Sequence, residues 1–73
     1  MKQDQFEALP LDTLYTYEHY SGKQITLKRR IVDGKAMPCV SSISGIRCTF
    51  TDVNKEKSHY FIYLDKIKLL NPE

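Results

Sequence analysis

Tryptophan is absent from this 73-residue chain, and cysteine occurs only as Cys39 and Cys48. Two cysteines are too few for the disulfide framework that staples secreted mini-proteins, so a reducing compartment is expected; it argues against a Cys39–Cys48 bridge, which neighbouring strands would allow. No apolar run is long. The strongest is Tyr60-Phe61-Ile62-Tyr63-Leu64, far short of the roughly 20 residues that a membrane helix requires. The first twelve residues mix Lys2, Asp4, Glu7 and Asp12 with few apolar side chains and hold no signal-peptide core, which makes the expected location cytoplasmic. No segment is low in complexity and no period of 20 to 50 residues repeats, so a single domain over residues 1–73 is expected. A chain of this size buries only about 60% of the surface its unfolded form exposes, which leaves little surplus for a deep, strained active site.

Charge of one sign is also lacking overall, since the formal net charge is only +2. That small number conceals a split. Residues 1–20 carry Lys2 against Asp4, Glu7, Asp12 and Glu18, net −3, whereas residues 21–73 carry ten bases against five acids, net +5. An acidic N-terminal end precedes a basic body.

Local chemistry divides the chain the same way. Lys2 to Leu9 holds good helix formers, with Phe6 and Leu9 on one face and Pro10 as a stop, and predicts one or two helical turns. Beyond Pro10 the vocabulary is β-branched and aromatic. Leu14 to Tyr20 reads as a strand, Ser21-Gly22 as a hairpin turn, and Gln24 to Val32 as a second strand with Ile25, Leu27 and Ile31 facing one way. Asp33-Gly34 is the strongest turn signal. Lys35 to Ser44 opens as an edge strand and then bends, because Pro38 cannot sit in a central strand. Ile46 to Thr51 alternates, with Ile46, Cys48 and Phe50 opposed to Arg47, Thr49 and Thr51. Asp52 to Lys57 reads as a polar loop, Ser58 to Leu64 as the most strand-like run, and Ile67 to Leu70 as a short last strand before Asn71-Pro72. Four or five short strands at this spacing predict an all-β fold, a small antiparallel barrel. Residues 13–70 would form the barrel and residues 1–10 a helical cap that plugs one end with Phe6 and Leu9.

Two segments carry a family resemblance. Tyr15 to Ile31 (Tyr-Thr-Tyr-Glu-His-Tyr-Ser-Gly-Lys-Gln-Ile-Thr-Leu-Lys-Arg-Arg-Ile) resembles the opening hairpin of WYL domains, an aromatic strand, a polar-Gly turn and a basic strand. Gly45-Ile46-Arg47-Cys48 followed by Phe61-Ile62-Tyr63-Leu64-Asp65-Lys66-Ile67 resembles that family's closing strand pair. Together they cover about half of the chain. The resemblance implies an Sm-like small barrel and regulation through nucleic acid or a nucleotide-type ligand. The Trp-Tyr-Leu element itself has no counterpart here, and Tyr63 stands where the family's ligand-facing arginine is expected, leaving Lys66 as the basic residue of that motif. The Leu-Asp-Lys-Ile ending is also similar to that of other Sm-like barrels, among them a small inhibitor of a transcription terminator.

The densest charge feature is Lys28-Arg29-Arg30, flanked by Lys23 and Lys35. On a strand Lys28 and Arg30 share a face that Arg29 opposes. With Arg47 and the tyrosines as stacking rings, this set fits a nucleic-acid surface. A solvated strand that keeps its edge unpaired would use the same charges. Exposed tyrosines and arginines are equally the residue types of protein-binding hot spots. Cys39, Cys48, His19 and His59 lack zinc-finger spacing, and no nucleophile elbow, phosphate loop or carboxylate pair accompanies the histidines. The expectation is a non-enzymatic regulatory module without cofactor or metal. It would bind a nucleic-acid-handling protein as inhibitor or adaptor, or else nucleic acid directly, with a homodimer allowed by any open edge. Lys28, Arg30, Arg47 and Lys66 would supply charge, and Tyr17, Tyr20 and Tyr63 contact area.

Overall fold

The computed structural model describes residues Met1 to Leu70, so Asn71-Pro72, before which the last strand is expected to end, lies outside the described residues. It is mainly β. The elements are α1 (Gln3–Glu7), β1 (Leu14–Glu18), β2 (Gln24–Arg29), β3 (Ile31–Val32), β4 (Lys35–Ala36), β5 (Val40–Ser42), β6 (Gly45–Asp52), β7 (Lys55–Tyr63), a 3-10 turn (Leu64–Lys66) and β8 (Ile67–Leu69). Six strands make one antiparallel sheet in the order β5-β6-β2-β1-β8, with β7 on the other edge of β6, while β3 and β4 form a separate hairpin. The strand count therefore exceeds the four or five read from the sequence. The sheet curls into a half-barrel, and among the described residues no pairing joins β7 to β8. The 3-10 turn joins those two strands as a corner. No helix among the described residues is long and apolar enough to cross a membrane.

β6 organises the sheet because it is long enough to serve three partners. Its first residues pair with β5 (Val40↔Arg47, Ser41↔Ile46, Ser42↔Gly45) and its last with β2 (Lys28↔Thr51, Arg29↔Phe50). Its opposite edge carries β7 from Arg47↔Tyr63 to Thr51↔His59. Beyond Thr51 the β6/β7 register shifts at an irregularity, and Asp52 meets Lys55. The turn there is short, because the Asp52 carboxylate accepts the Asn54 N–H at 2.8 Å and holds Val53-Asn54 tight. Lys55 to Lys57, expected in a polar loop, thus belong to β7.

The second strand also ends earlier than expected. Alternation along β2 points Ile25, Leu27 and Arg29 inward, and the chain leaves the large sheet after the Arg30 N–H reaches Thr49 O at 3.0 Å. Ile31 is 45% exposed in the β3–β4 hairpin rather than aligned with Leu27. The Asp33-Gly34 turn explains the departure. Both residues have positive φ (53° and 78°), the signature of a two-residue hairpin turn whose twist matches the flanking strands.

The core lies between the concave face of the sheet and α1. Phe6, Tyr15, Leu27, Cys48 and Phe50 are essentially inaccessible, with Leu64 and Ile67 nearly so and Leu9 packed at the margin. The rings of Phe6, Tyr15 and Phe50 meet pairwise at 5.5 to 5.7 Å between centroids in tilted or edge-on geometry. The helix thus caps the half-barrel as the Phe6/Leu9 pattern predicts. Arg29 is the exception among inward residues. Its side chain is 8% exposed, pairs with Glu7 Oε1 at 2.8 Å, donates to Met37 O at 3.1 Å and lies 4.7 Å from the centre of the Phe6 ring.

The cysteines correct a further expectation. Cys39 and Cys48 form a disulfide, and the β5/β6 register explains why. Continuing the pairs of Ser42↔Gly45, Ser41↔Ile46 and Val40↔Arg47 by one step sets Cys39 opposite Cys48, with Cα atoms 4.4 Å apart. That is the spacing of a non-hydrogen-bonded cross-strand pair.

Two outcomes follow from the core. Phe6→Ala should lower the unfolding free energy by about 3 kcal/mol or more, measured by urea denaturation, because a ring is removed from the junction of helix and sheet. Burial raises the Tyr15 phenol above its ordinary value of 10.0, with Arg29 pulling the other way. The unfolded chain therefore ionises first, and stability present below pH 10 is lost as pH rises through the native value. Alkaline denaturation should be steeper for the wild type than for Tyr15→Phe.

Candidate functional site

Pairing fixes which side chains share the convex face, since directly opposed residues of neighbouring strands point the same way. Three rows result. The first runs Leu14, Lys28, Thr51, His59 across β1, β2, β6 and β7. The second sets Thr49 against Phe61, with Arg30 continuing the β2/β6 register beside Thr49. The third is Val40, Arg47, Tyr63 across β5, β6 and β7. β7 consequently presents a column of rings (His59, Phe61, Tyr63); Arg47 of β6 stands directly beside it, and Lys28 and Arg30 of β2 lie one strand further out, across Thr51 and Thr49. Successive rows are two residues apart along a strand, roughly 7 Å.

Rings and cations touch at Arg47. Its guanidinium carbon lies 5.1 Å from the Phe61 ring centre and 5.0 Å from that of Tyr63, within cation–π range of both. Tyr63 is fixed from the other side. Its hydroxyl and Ser44 Oγ are 2.7 Å apart, and its ring packs over Gly45, where an added Cβ would sit 3.3 Å from Tyr63 Cδ1. At the opposite end of the face, His59 Nδ1 and Thr51 Oγ1 are 3.1 Å apart. Lys28, Arg30, Thr51, Glu56 and His59 there line a groove of about 310 Å3 beside the β6/β7 irregularity. Among the described residues, Glu56 is the only carboxylate lining it.

Four of the seven residues expected to bind share this face: Lys28, Arg30, Arg47 and Tyr63. The other three do not. Tyr17 opposes Ile25 and Ile67 on the concave side and is half-buried, because β1 alternates in phase with Tyr15. Tyr20 sits in the β1–β2 turn, 94% exposed, with its ring 4.1 Å from that of His19. Lys66 lies in the 3-10 turn that leaves the sheet. Arg29, flanked in sequence by two members of the face, is turned inward. His59, Phe61 and Thr49 were not singled out as contacts in the sequence. The alternation Phe61/Ile62/Tyr63 is the signal that could have found Phe61, since only one of the two phases can enter the core.

The four side chains with zinc-ligand chemistry are dispersed: both sulfurs are consumed in the bridge, His19 is at a hairpin and His59 on the convex face. Comparison with protein-family models, with curated proteins and with solved structures finds no match.

Gly45 has φ 137°, which side-chain-bearing residues rarely adopt, and a Cβ there meets the Tyr63 ring. Gly45→Ala should therefore cost about 1–3 kcal/mol of stability in urea titrations. It should also shift the resonances of Tyr63 and Arg47 more than those of Lys28.

Proposed function

We propose that this chain is a non-enzymatic binding module whose convex face holds single-stranded nucleic acid. The observation that carries the reading is the column of rings on β7 with Arg47 of β6 against it and Lys28 and Arg30 of β2 one strand away on the same face. A single strand offers the complementary pattern, a line of phosphates next to a line of flat bases. Phosphates attract Lys and Arg irrespective of sequence, and exposed rings stack any base. Phe61, 49% exposed, is the principal stacking surface, and Arg47 adds a guanidinium plane to it. The resemblance of the Tyr15 to Ile31 hairpin to WYL domains is in keeping with such a regulator.

A protein partner is favoured by a different observation. Ile43, at the tip of the β5–β6 hairpin, is fully exposed, and Val40 in the row of Arg47 and Tyr63 is 52% exposed. Apolar side chains beside an arginine and a tyrosine are what a docking hot spot contains. In that reading the module acts as an inhibitor or adaptor of a protein that itself handles nucleic acid.

Fluorescence anisotropy with labelled single-stranded and duplex oligonucleotides separates the two. Single strands should bind at low salt, with affinity falling steeply as salt rises, because neutralised phosphates release counterions. Phe61→Ala and Arg47→Ala should each weaken binding by about 1–3 kcal/mol, the scale of one base stack, while Lys66→Ala leaves it unchanged. No oligonucleotide binding at low salt, together with recovery from nuclease-treated host lysate of a stoichiometric protein that Ile43→Asp no longer captures, would replace the first reading by the second.

A further inference from the structure

We infer that the Cys39–Cys48 pair is a thiol–disulfide exchange site, with Cys39 as the sulfur attacked, and that its reduction releases β5 from the sheet. The two sulfurs are unequally accessible. Cys48 is completely buried in the core between Ile46 and Phe50, whereas Cys39 is half-buried on the segment entering β5. An external thiolate must approach along the line of the bond from the Cys39 side, since no path reaches Cys48 without opening the core.

An ion pair lies beside Cys39. Arg29 Nη2 is 3.9 Å and Glu7 Oε1 3.6 Å from Cys39 Sγ, while the two N–H groups of Nη2 are taken by Glu7 Oε1 at 2.8 Å and Met37 O at 3.1 Å. The two charges offset one another at the sulfur, so accessibility rather than charge selects Cys39.

The exchange balances with a dithiol as reductant. One thiolate of the dithiol attacks Cys39 Sγ, the Cys39–Cys48 bond breaks, and the Cys48 sulfur leaves and takes a proton. The second thiol of the reductant, deprotonated, then attacks its own sulfur in the mixed disulfide. Cys39 departs as a thiolate beside Arg29 and the reductant is left as a disulfide. Two electrons pass to the protein.

What the bridge holds follows from burial. Val40, Ser41 and Ser42 are all exposed, so no side chain of β5 is anchored in the core. The strand is kept by three register pairs with β6 and by the covalent link one residue before it. The preceding segment has its own ties, Met37 N–H to Arg30 O at 3.0 Å and Arg29 to Met37 O at 3.1 Å. Loss of the bridge therefore frees residues 39–42, stopping at Met37 on one side and at the Ser44–Tyr63 hydrogen bond on the other. Because Val40 flanks Arg47, the change reaches the convex face, yet the inference does not depend on what that face binds.

Hydrogen exchange and alkylation test this directly on the full chain. After dithiothreitol treatment, amide exchange at Val40 to Ser42 and at their β6 partners should accelerate roughly tenfold or more, the amounts typical of a local opening, while Leu27 and Phe50 stay protected. Iodoacetamide should label Cys39 at least about ten times faster than Cys48, and oxidised glutathione should restore both the bridge and the protection. Cys39→Ser, which needs no reductant, should show the same local exchange. Global unfolding on reduction, equal labelling of the two cysteines, or unchanged exchange in β5 would each overturn the inference.

Discussion

The structure depends on one buried cation. Arg29 belongs by sequence to a basic run, yet the pleat of β2 directs it into the space between sheet and helix. A guanidinium there is tolerable only with partners, because a buried unpaired charge costs several kcal/mol. Arg29 finds Glu7 on α1, the Met37 carbonyl on the way to β5, and the face of the Phe6 ring. These three contacts tie the helix, the end of β2 and the 37–39 segment to one atom group. The acidic N-terminal end and the basic body meet at this point through the Glu7–Arg29 pair.

Turning Arg29 inward has a consequence on the other side of the sheet. Strand alternation leaves Lys28 and Arg30 pointing outward, in register with Thr51 and Thr49 of β6. β6 then brings Arg47 onto the same face, and β7 sets its rings alongside Arg47. The concave face keeps the aromatic trio of Phe6, Tyr15 and Phe50. Core and convex face are thus two readings of the same period-two pattern, separated by the thickness of one sheet. Thr49 and Thr51, between Cys48, Phe50 and Asp52, belong to the outward set for the same reason.

Much of this was legible locally. Helix at the start, strands beyond Pro10, turns at Ser21-Gly22 and Asp33-Gly34, and the inward phase Ile46/Cys48/Phe50 all follow from residue chemistry at short range. Three of the differences share one cause: the places of Ile31, Lys55 to Lys57 and Tyr17 depend on which strand lies opposite. The cysteine pair differs for another reason, since neighbouring strands allow the bridge and only the expected reducing compartment argues against it. Ile31 leaves the main sheet because the next turn needs a hairpin of its own. Lys55 to Lys57 extend β7 because Asp52 caps a two-residue turn. Tyr17 is concave because β1 runs in phase with Tyr15. Cys39 meets Cys48 because a short hairpin register puts positions nine apart face to face.

Composition and periodicity by themselves determined an all-β chain with an N-terminal helical cap, an acidic start and a basic body, since those properties are set by each residue's own propensity and by neighbours two to four positions away. Tertiary structure alone decided that Arg29 is a core residue rather than part of the basic surface, that Arg47 stacks against Phe61 and Tyr63, and that the two sulfurs are joined. Each of those outcomes is a cross-strand or helix-to-sheet contact between residues distant along the chain or made opposite by register. Strand pairing determines them, and no local pattern encodes which strands will pair.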